Sequence, residues 1–223
     1  MASLYPLFLN LEHKTVLIVG GGTLAAQKLR TLAPTGAHVM LVAPHIAPET
    51  LALLEAGGHR FAERRFAPTD LDSVDMVFAA TDTPETNHGI VALARDRGIL
   101  ANAVDDPAFC DFYTPAVVRR GLVSVAISTD GRFPGVTRAL REVLDEWLPK
   151  SDETLVAALA DLREELRAAN VAPAQRATAL RTLIAQFRDR YLRPTTGHSP
   201  SPEMASLPMT TRREGTQDDI YIS

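Results

Sequence analysis

Hydrophobic residues in the first hundred positions fall into short unbroken runs, separated by stretches in which apolar residues recur at helical spacing. Val16 to Val19, His38 to Ala43, Asp75 to Ala80 and Ile99 to Val104 are runs of the kind that strands buried on both faces require. Arg60 to Phe66 reads as a further strand. Helices are expected at Ala25 to Leu32, Pro48 to Ala56 and Pro84 to Arg97, the last opened by proline and followed by Gly98. This β-α-β alternation predicts an α/β fold built on a doubly wound parallel sheet.

The rhythm then changes. Thr114 to Val118 and Leu122 to Ser128 are strand-like, and Arg119-Arg120-Gly121 between them resembles a hairpin turn rather than a helical crossover. A helix is expected from Pro134 to Trp147, stopped before Pro149. Beyond Ser151, Leu155, Leu159, Leu162, Leu166, Leu180, Leu183 and Phe187 fit two or three amphipathic helices. Residues 194–223, rich in Pro, Ser, Thr and Gly, read as a disordered tail. The expected boundaries are thus 1–112, 113–149, 150–193 and 194–223.

Chemistry enters where the first apolar run meets Gly20-Gly21-Gly22. Gly20, Gly22 and Ala25 stand at the G-x-G-x-x-A spacing that allows a tight turn, close approach of backbone to a phosphate, and close helix packing. The helix behind them directs its free amides and dipole at the same point, so the unit predicts a pyrophosphate cradle in a Rossmann-like sheet. The acidic residue that ordinarily holds a ribose 2′-hydroxyl about 20 residues later is missing. The second strand ends in Pro44-His45, with no carboxylate before Glu49 and no arginine in that turn. Spacing therefore supports a dinucleotide without choosing between NAD and NADP.

Composition narrows the partners. A net charge of -4 over 223 residues, with signs intermixed, argues against nucleic-acid binding. Without a long apolar run or a signal-peptide pattern, no membrane association is expected and a cytoplasmic location is. Cys110 is the only cysteine, which excludes an intrachain disulfide and a thiolate metal cage, and no base accompanies it as a nucleophile's partner. The six histidines show no metal-ligand spacing, so no resident metal is expected.

Strands of such a sheet deliver functional groups at their carboxyl ends. Gly20 to Thr23, Thr81-Asp82 and Asp105-Asp106 occupy such ends. Either aspartate of the last pair suits a proton acceptor, or the pair simply forms a turn with Pro107. Arg119, Arg120, Arg132, Arg138 and Arg141 suit a polycarboxylate ligand through bidentate pairing, or form a solvated charged surface.

An ordered series of motifs resembles the precorrin-2 dehydrogenase/sirohydrochlorin ferrochelatase family, the dehydrogenase module of siroheme synthase. The series runs from Tyr5 to Leu11 into Val16 to Gly22 and Ala25 to Lys28, through Ala79 to Asp82, Asn87 and Asn102 to Asp105. It continues with Phe112 to Ala116, Arg120-Gly121-Leu122, Val125 to Thr129, Gly131 and Pro134, then Arg138 and Arg141. The resemblance implies an NAD-binding domain, a small dimerisation region, a helical C-terminal region and a homodimer. It implies NAD-dependent oxidation of precorrin-2 to sirohydrochlorin on a route to siroheme or cobalamin, with Asp105 as the catalytic proton acceptor. Cofactor contacts carry over to Gly20, Gly22, Thr23, Leu24, Pro44, His45, Thr81 and Asp82, and substrate contacts to Arg119, Arg120, Ser128, Arg132 and Arg138. Some family members also insert ferrous iron, whereas others leave that step to a partner chelatase.

Two departures stand out. The family's usual Ser-Thr-x-Gly-x-Ser-Pro reads Ser128-Thr129-Asp130-Gly131-Arg132-Phe133-Pro134 here. The methyltransferase domain of the fused enzymes does not follow in this sequence. A noncatalytic NAD-sensing or tetrapyrrole-binding module is the alternative that the altered loop motivates.

Overall fold

The structure is a computed structural model that describes residues 4–104, 106–148 and 152–192. Its centre is one parallel sheet made by β1 (Thr15–Val19), β2 (His38–Ala43), β3 (Arg60–Glu63), β4 (Met76–Ala79) and β5 (Leu100–Ala103), in the order β3-β2-β1-β4-β5. Between the strands run α1 (Thr23–Leu32), α2 (Pro48–Ala56) and α3 (Pro84–Asp96). The doubly wound expectation is met.

Both faces of the sheet are covered, which explains its unbroken apolar runs. Val16 and Ile18 face Ala25, Leu29 and Leu32 of α1 and Leu54 of α2, whereas Leu17 and Val19 belong to the opposite cluster with Ile90, Val91 and Ala94 of α3. Each fully buried leucine, isoleucine or valine of this kind contributes about 1.5–3 kcal/mol. The chain doubles back between β1 and β4, so the ends of these two strands form the switch point where such sheets bind ligands.

Strand β3 is shorter than the run Arg60 to Phe66 suggests. After Glu63 the chain turns, and Arg64 donates to the buried Asp70 at 2.8 Å while the Ala67 amide donates to the same carboxylate at 2.8 Å. Hydrogen bonding from Arg64 holds the Asp70 carboxyl below its ordinary value of 3.8. A depressed carboxyl stabilises the fold above that value and loses its contribution as pH falls through the folded one. Asp70→Asn is therefore expected to lower Tm by several degrees at neutral pH, with the gap to the native chain closing in acid; thermal melts across pH read this directly.

The second region is a hairpin and a helix. β6 (Ala116–Arg120) and β7 (Val123–Ile127) pair antiparallel from Ala116 opposite Ile127 to Arg120 opposite Val123, leaving Gly121-Leu122 as the connection. The sequence places Arg119 and Arg120 in the turn, but the strand continues through them because Val118 and Arg120 alternate inward and are buried. Helix α4 (Pro134–Trp147) follows, and the Arg120 guanidinium seals its C-terminal end. It donates to the Leu148 carbonyl at 2.7 Å and to the Asp145 carboxylate at 2.9 Å, favourable positions for a cation against a helix C-terminus.

A separate unit begins at Thr154 and comprises most of α5 (Asp152–Ala168) together with α6 (Pro173–Leu192), the lower count of the two or three helices expected. The tail expected at 194–223 lies outside the described residues. No helix among the described residues is long and apolar enough to cross a membrane.

Candidate functional site

The glycine turn is built by contact between chain segments. Gly20 sits at φ +123°, and a Cβ there would lie 2.2 Å from the carbonyl oxygen of Ala80, so the turns after β1 and β4 touch at the switch point. A Cβ on Gly21 would lie 2.3 Å from the His45 carbonyl oxygen, and the Ala47 amide donates to the Gly21 carbonyl at 2.9 Å. The Pro44-His45 segment is thereby held against the turn. Gly22, the residue that opens α1, has nothing within 4 Å of its Cβ position, and no side chain caps the helix. Gly22 and Thr23 are exposed and Leu24 is half-buried. Open space over uncapped helix amides fits a pyrophosphate, and these are the residues that would hold it. The buried Thr50 hydroxyl donates to the Gly22 carbonyl at 3.1 Å, a tie that sequence spacing does not distinguish from a surface threonine.

Beside the cradle lie the ends of β4 and β5. Asn87 of α3 is buried and accepts from the Thr81 amide at 3.0 Å and hydroxyl at 2.7 Å, while its own amide donates to the Thr81 carbonyl at 3.1 Å. Thr81 is thus locked beside Gly20, with Asp82 next to it and exposed. Asp106 takes the turn role. Its carboxylate accepts the Ala108 amide at 3.2 Å, opening the short 3-10 turn Pro107–Phe109, and meets His88 at 2.7 Å. Asp105 lies outside the described residues. Cys110 closes the turn with its thiol donating to the Ala103 and Asp106 carbonyls at 3.1 Å. Burial pushes that thiol upward from its ordinary value, which suits a packed thiol rather than a nucleophile.

A cleft of about 780 Å³ opens between α1 and the hairpin-helix region, within the common range for small-molecule sites. Gln27, Thr114, Ser128, Thr129, Arg138 and Arg141 are among its lining residues. Of the arginines named from the sequence, Arg138 and Arg141 line it. Arg120 does not, its guanidinium being committed to the end of α4. Arg119 is exposed on β6, 3.5 Å from Ser124 Oγ, and Arg132 is exposed in the loop before α4. Spacing alone did not single out Lys28, whose ammonium lies 3.2 Å from Thr114 Oγ1 and 5.2 Å above the centre of the Phe78 ring. A smaller cleft of about 340 Å³, with His38, His59 and Arg60, lies at the opposite, amino edge of the sheet.

The altered loop keeps its shape through hydroxyl bonds. Ser128 Oγ accepts the Asp130 amide at 3.1 Å, and Thr129 Oγ1 accepts the Phe133 amide at 3.2 Å. Phe133 opens α4 without a side-chain cap and points 62% of its surface outward. A serine there would cap the helix, so Phe133 trades a cap for exposed apolar area.

Comparisons place this geometry among known proteins. Residues 7–116 match a family model described as "Putative NAD(P)-binding". The chain is 40% identical over 144 residues to a siroheme synthase of Baumannia cicadellinicola, covering 65% of this chain and 31% of that protein. It is 40% identical over 163 residues to siroheme synthase 1 of Aeromonas hydrophila, covering 73% of this chain and 35% of that one. The chain therefore spans about a third of the length of these relatives. Among solved structures, the precorrin-2 dehydrogenase SirC superposes with a TM-score of 0.66 at 28% identity, over 81% of this chain and 89% of that one. In sequence and in fold the chain is thus akin to siroheme synthases and to a precorrin-2 dehydrogenase, with an NAD(P)-binding model matching residues 7–116.

Proposed function

We propose that this chain oxidises precorrin-2 to sirohydrochlorin with NAD as the hydride acceptor, in siroheme or cobalamin biosynthesis. The observation that carries the reading is the join of two sites in one unit. The phosphate cradle at Gly20 to Thr23 sits on the same helix, α1, that supplies Gln27 to the arginine-bearing cleft. A bound nicotinamide supplies the acceptor for the hydride that leaves the tetrapyrrole. The chain's part is to orient and to take the accompanying proton. Gly20, Gly22, Thr23 and Leu24 would hold the pyrophosphate, and Pro44, His45, Thr81 and Asp82 would complete the cofactor site. Asp105, two residues beyond the end of β5 in the sequence, accepts the proton as the hydride departs, a role that suits a carboxylate. Arg138, Ser128 and Arg141 meet the acetate and propionate groups of the substrate.

Purified protein given precorrin-2 and NAD is expected to form NADH and sirohydrochlorin in equal amounts. Absence of NADH would end the dehydrogenase reading, and NAD binding retained without oxidation would favour the noncatalytic module. Running NADP in parallel decides the cofactor form. Adding ferrous iron to sirohydrochlorin, and comparing siroheme formation with and without protein, tests iron as a second substrate.

Arg138 leans along α4 with its Nε 3.3 Å from Glu142 and stays mostly exposed, free to swing toward a carboxylate. Arg138→Ala is expected to raise KM for precorrin-2 about tenfold, the worth of roughly one charge-assisted hydrogen bond, with kcat nearly unchanged. Steady-state kinetics at two salt concentrations check it, because the difference shrinks as salt screens the charge.

The homodimer also belongs to this proposal. Val136, Leu140, Val143 and Trp147 form one exposed stripe along α4, and among the described residues the β6–β7 sheet has two strands, which is marginal by itself in water. A second copy of the chain covers that face. A dimeric mass in solution is expected, and a monomeric one would contradict it.

A further inference from the structure

Two adjacent residues of α3 reach in different directions. Asn87 locks Thr81 in the turn after β4, and His88 meets Asp106 in the turn after β5 at 2.7 Å. The His88 ring also stacks on Phe109, with centroids 3.7 Å apart and planes 9° from parallel. Asp106 in turn receives the Ala108 amide, and its carbonyl receives the Cys110 thiol. The Tyr113 hydroxyl donates to the Pro107 carbonyl at 3.2 Å. The neighbouring carboxylate, Asp111, is already committed to Arg95 at 2.9 Å and to the Ala101 amide at 3.0 Å. One imidazole thus grips the turn Asp106–Cys110 at both its first residue and its aromatic one. Strands β4 and β5 are neighbours, so a single dipeptide sets the spacing of the two turns that border the crevice.

We infer that His88 is a positioning residue: through Asp106 and Phe109 it fixes the turn after β5 relative to the cofactor-side turn that Asn87 fixes. The inference rests on the reading under Proposed function for its catalytic consequence, because Asp106 directly follows the proposed base in the sequence. Its structural consequence is independent of that reading. Helix formation does not require a histidine at position 88, and the pairing with Asp106 spans 18 residues.

The single cysteine of the chain reports the turn. The Cys110 thiol is held between the Asp106 carbonyl of the turn and the Ala103 carbonyl at the end of β5, so loosening the turn exposes a reactive sulfur. In His88→Ala, alkylation of Cys110 by iodoacetamide is expected to run about tenfold faster than in the native chain, as local opening becomes easier. His88→Gln keeps an N–H donor for Asp106 and should stay within about twofold of native. In turnover, His88→Ala is expected to lose about tenfold or more in kcat through misplacement of the reacting groups, with NAD affinity unchanged and His88→Gln largely rescued. Native alkylation rates in His88→Ala, or a His88→Gln variant as impaired as His88→Ala, would overturn the inference. If the native protein fails to oxidise precorrin-2, the proposed function falls, while the alkylation rates still decide what His88 does.

Discussion

Replacing Asp105 by asparagine is expected to reduce precorrin-2 oxidation by about 10²–10⁴-fold, the usual worth of a positioned general base, while NAD binds as before. Asparagine matches the side chain in size and keeps a hydrogen-bonding carbonyl, but it cannot take up the proton that leaves with the hydride. The cradle that would hold the cofactor is assembled from Gly20, Gly21, Ala80, His45 and Thr50. Binding and turnover should therefore separate. Calorimetric titration with NAD gives the first quantity and single-turnover NADH formation the second. A variant that turns over within twofold of native would remove Asp105 from the chemistry. Equal loss of NAD affinity would assign it a binding role instead.

The contrast with His88 makes the pair of experiments informative. Asp105→Asn is expected to remove proton uptake and to leave the alkylation rate of Cys110 native. His88→Ala should change that rate. If both variants slow turnover and only the second speeds alkylation, chemistry falls to the segment after β5 and positioning to α3.

Much of this arrangement could be read along the chain, for a physical reason. Strands covered on both faces need every side chain apolar, so Val16 to Val19 and Met76 to Ala79 stand out as continuous runs. Helix α2 begins at Pro48 and α3 at Pro84 because a fixed φ and a missing amide suit a first helical turn. The hairpin was harder. Arg119-Arg120 resembles a turn when only charge is counted, yet Arg120 is buried because the end of α4, 25 residues away, offers oxygens to its guanidinium. Long-range partners of that sort leave no local signature. The same holds for Thr50 on Gly22, Asn87 on Thr81 and Lys28 beside Thr114, all of which sequence spacing passed over as site residues. Asp105 and Asp106 could not be ranked by composition either. The His88 and Ala108 contacts give Asp106 its turn role, and the family resemblance alone speaks for Asp105.

Gly20→Ala and Gly22→Ala are expected to fail in opposite ways. At Gly20 the added methyl would lie 2.2 Å from the backbone oxygen of Ala80, and the backbone is at φ +123°, where side chains other than hydrogen are strained. Strain of about 1–3 kcal/mol and an overlap of about 1–3 kcal/mol together cost roughly 2–6 kcal/mol, a large part of a domain's stability. The oxygen cannot rotate away as a side-chain atom would, because it belongs to the peptide that leads β4 into Thr81. Gly20→Ala should therefore melt far below the native chain or fail to fold. At Gly22 the methyl meets nothing of the protein, so the melting temperature should hardly move. It would instead occupy the open side of the turn, where a phosphate needs the bare backbone, and NAD affinity should fall by tenfold or more, about 1.4 kcal/mol. Melts and NAD titrations on both variants separate the two roles. If Gly22→Ala binds NAD like the native chain, the pyrophosphate does not lie over α1. If Gly20→Ala is as stable as native, the close approach of the turns after β1 and β4 does not constrain position 20.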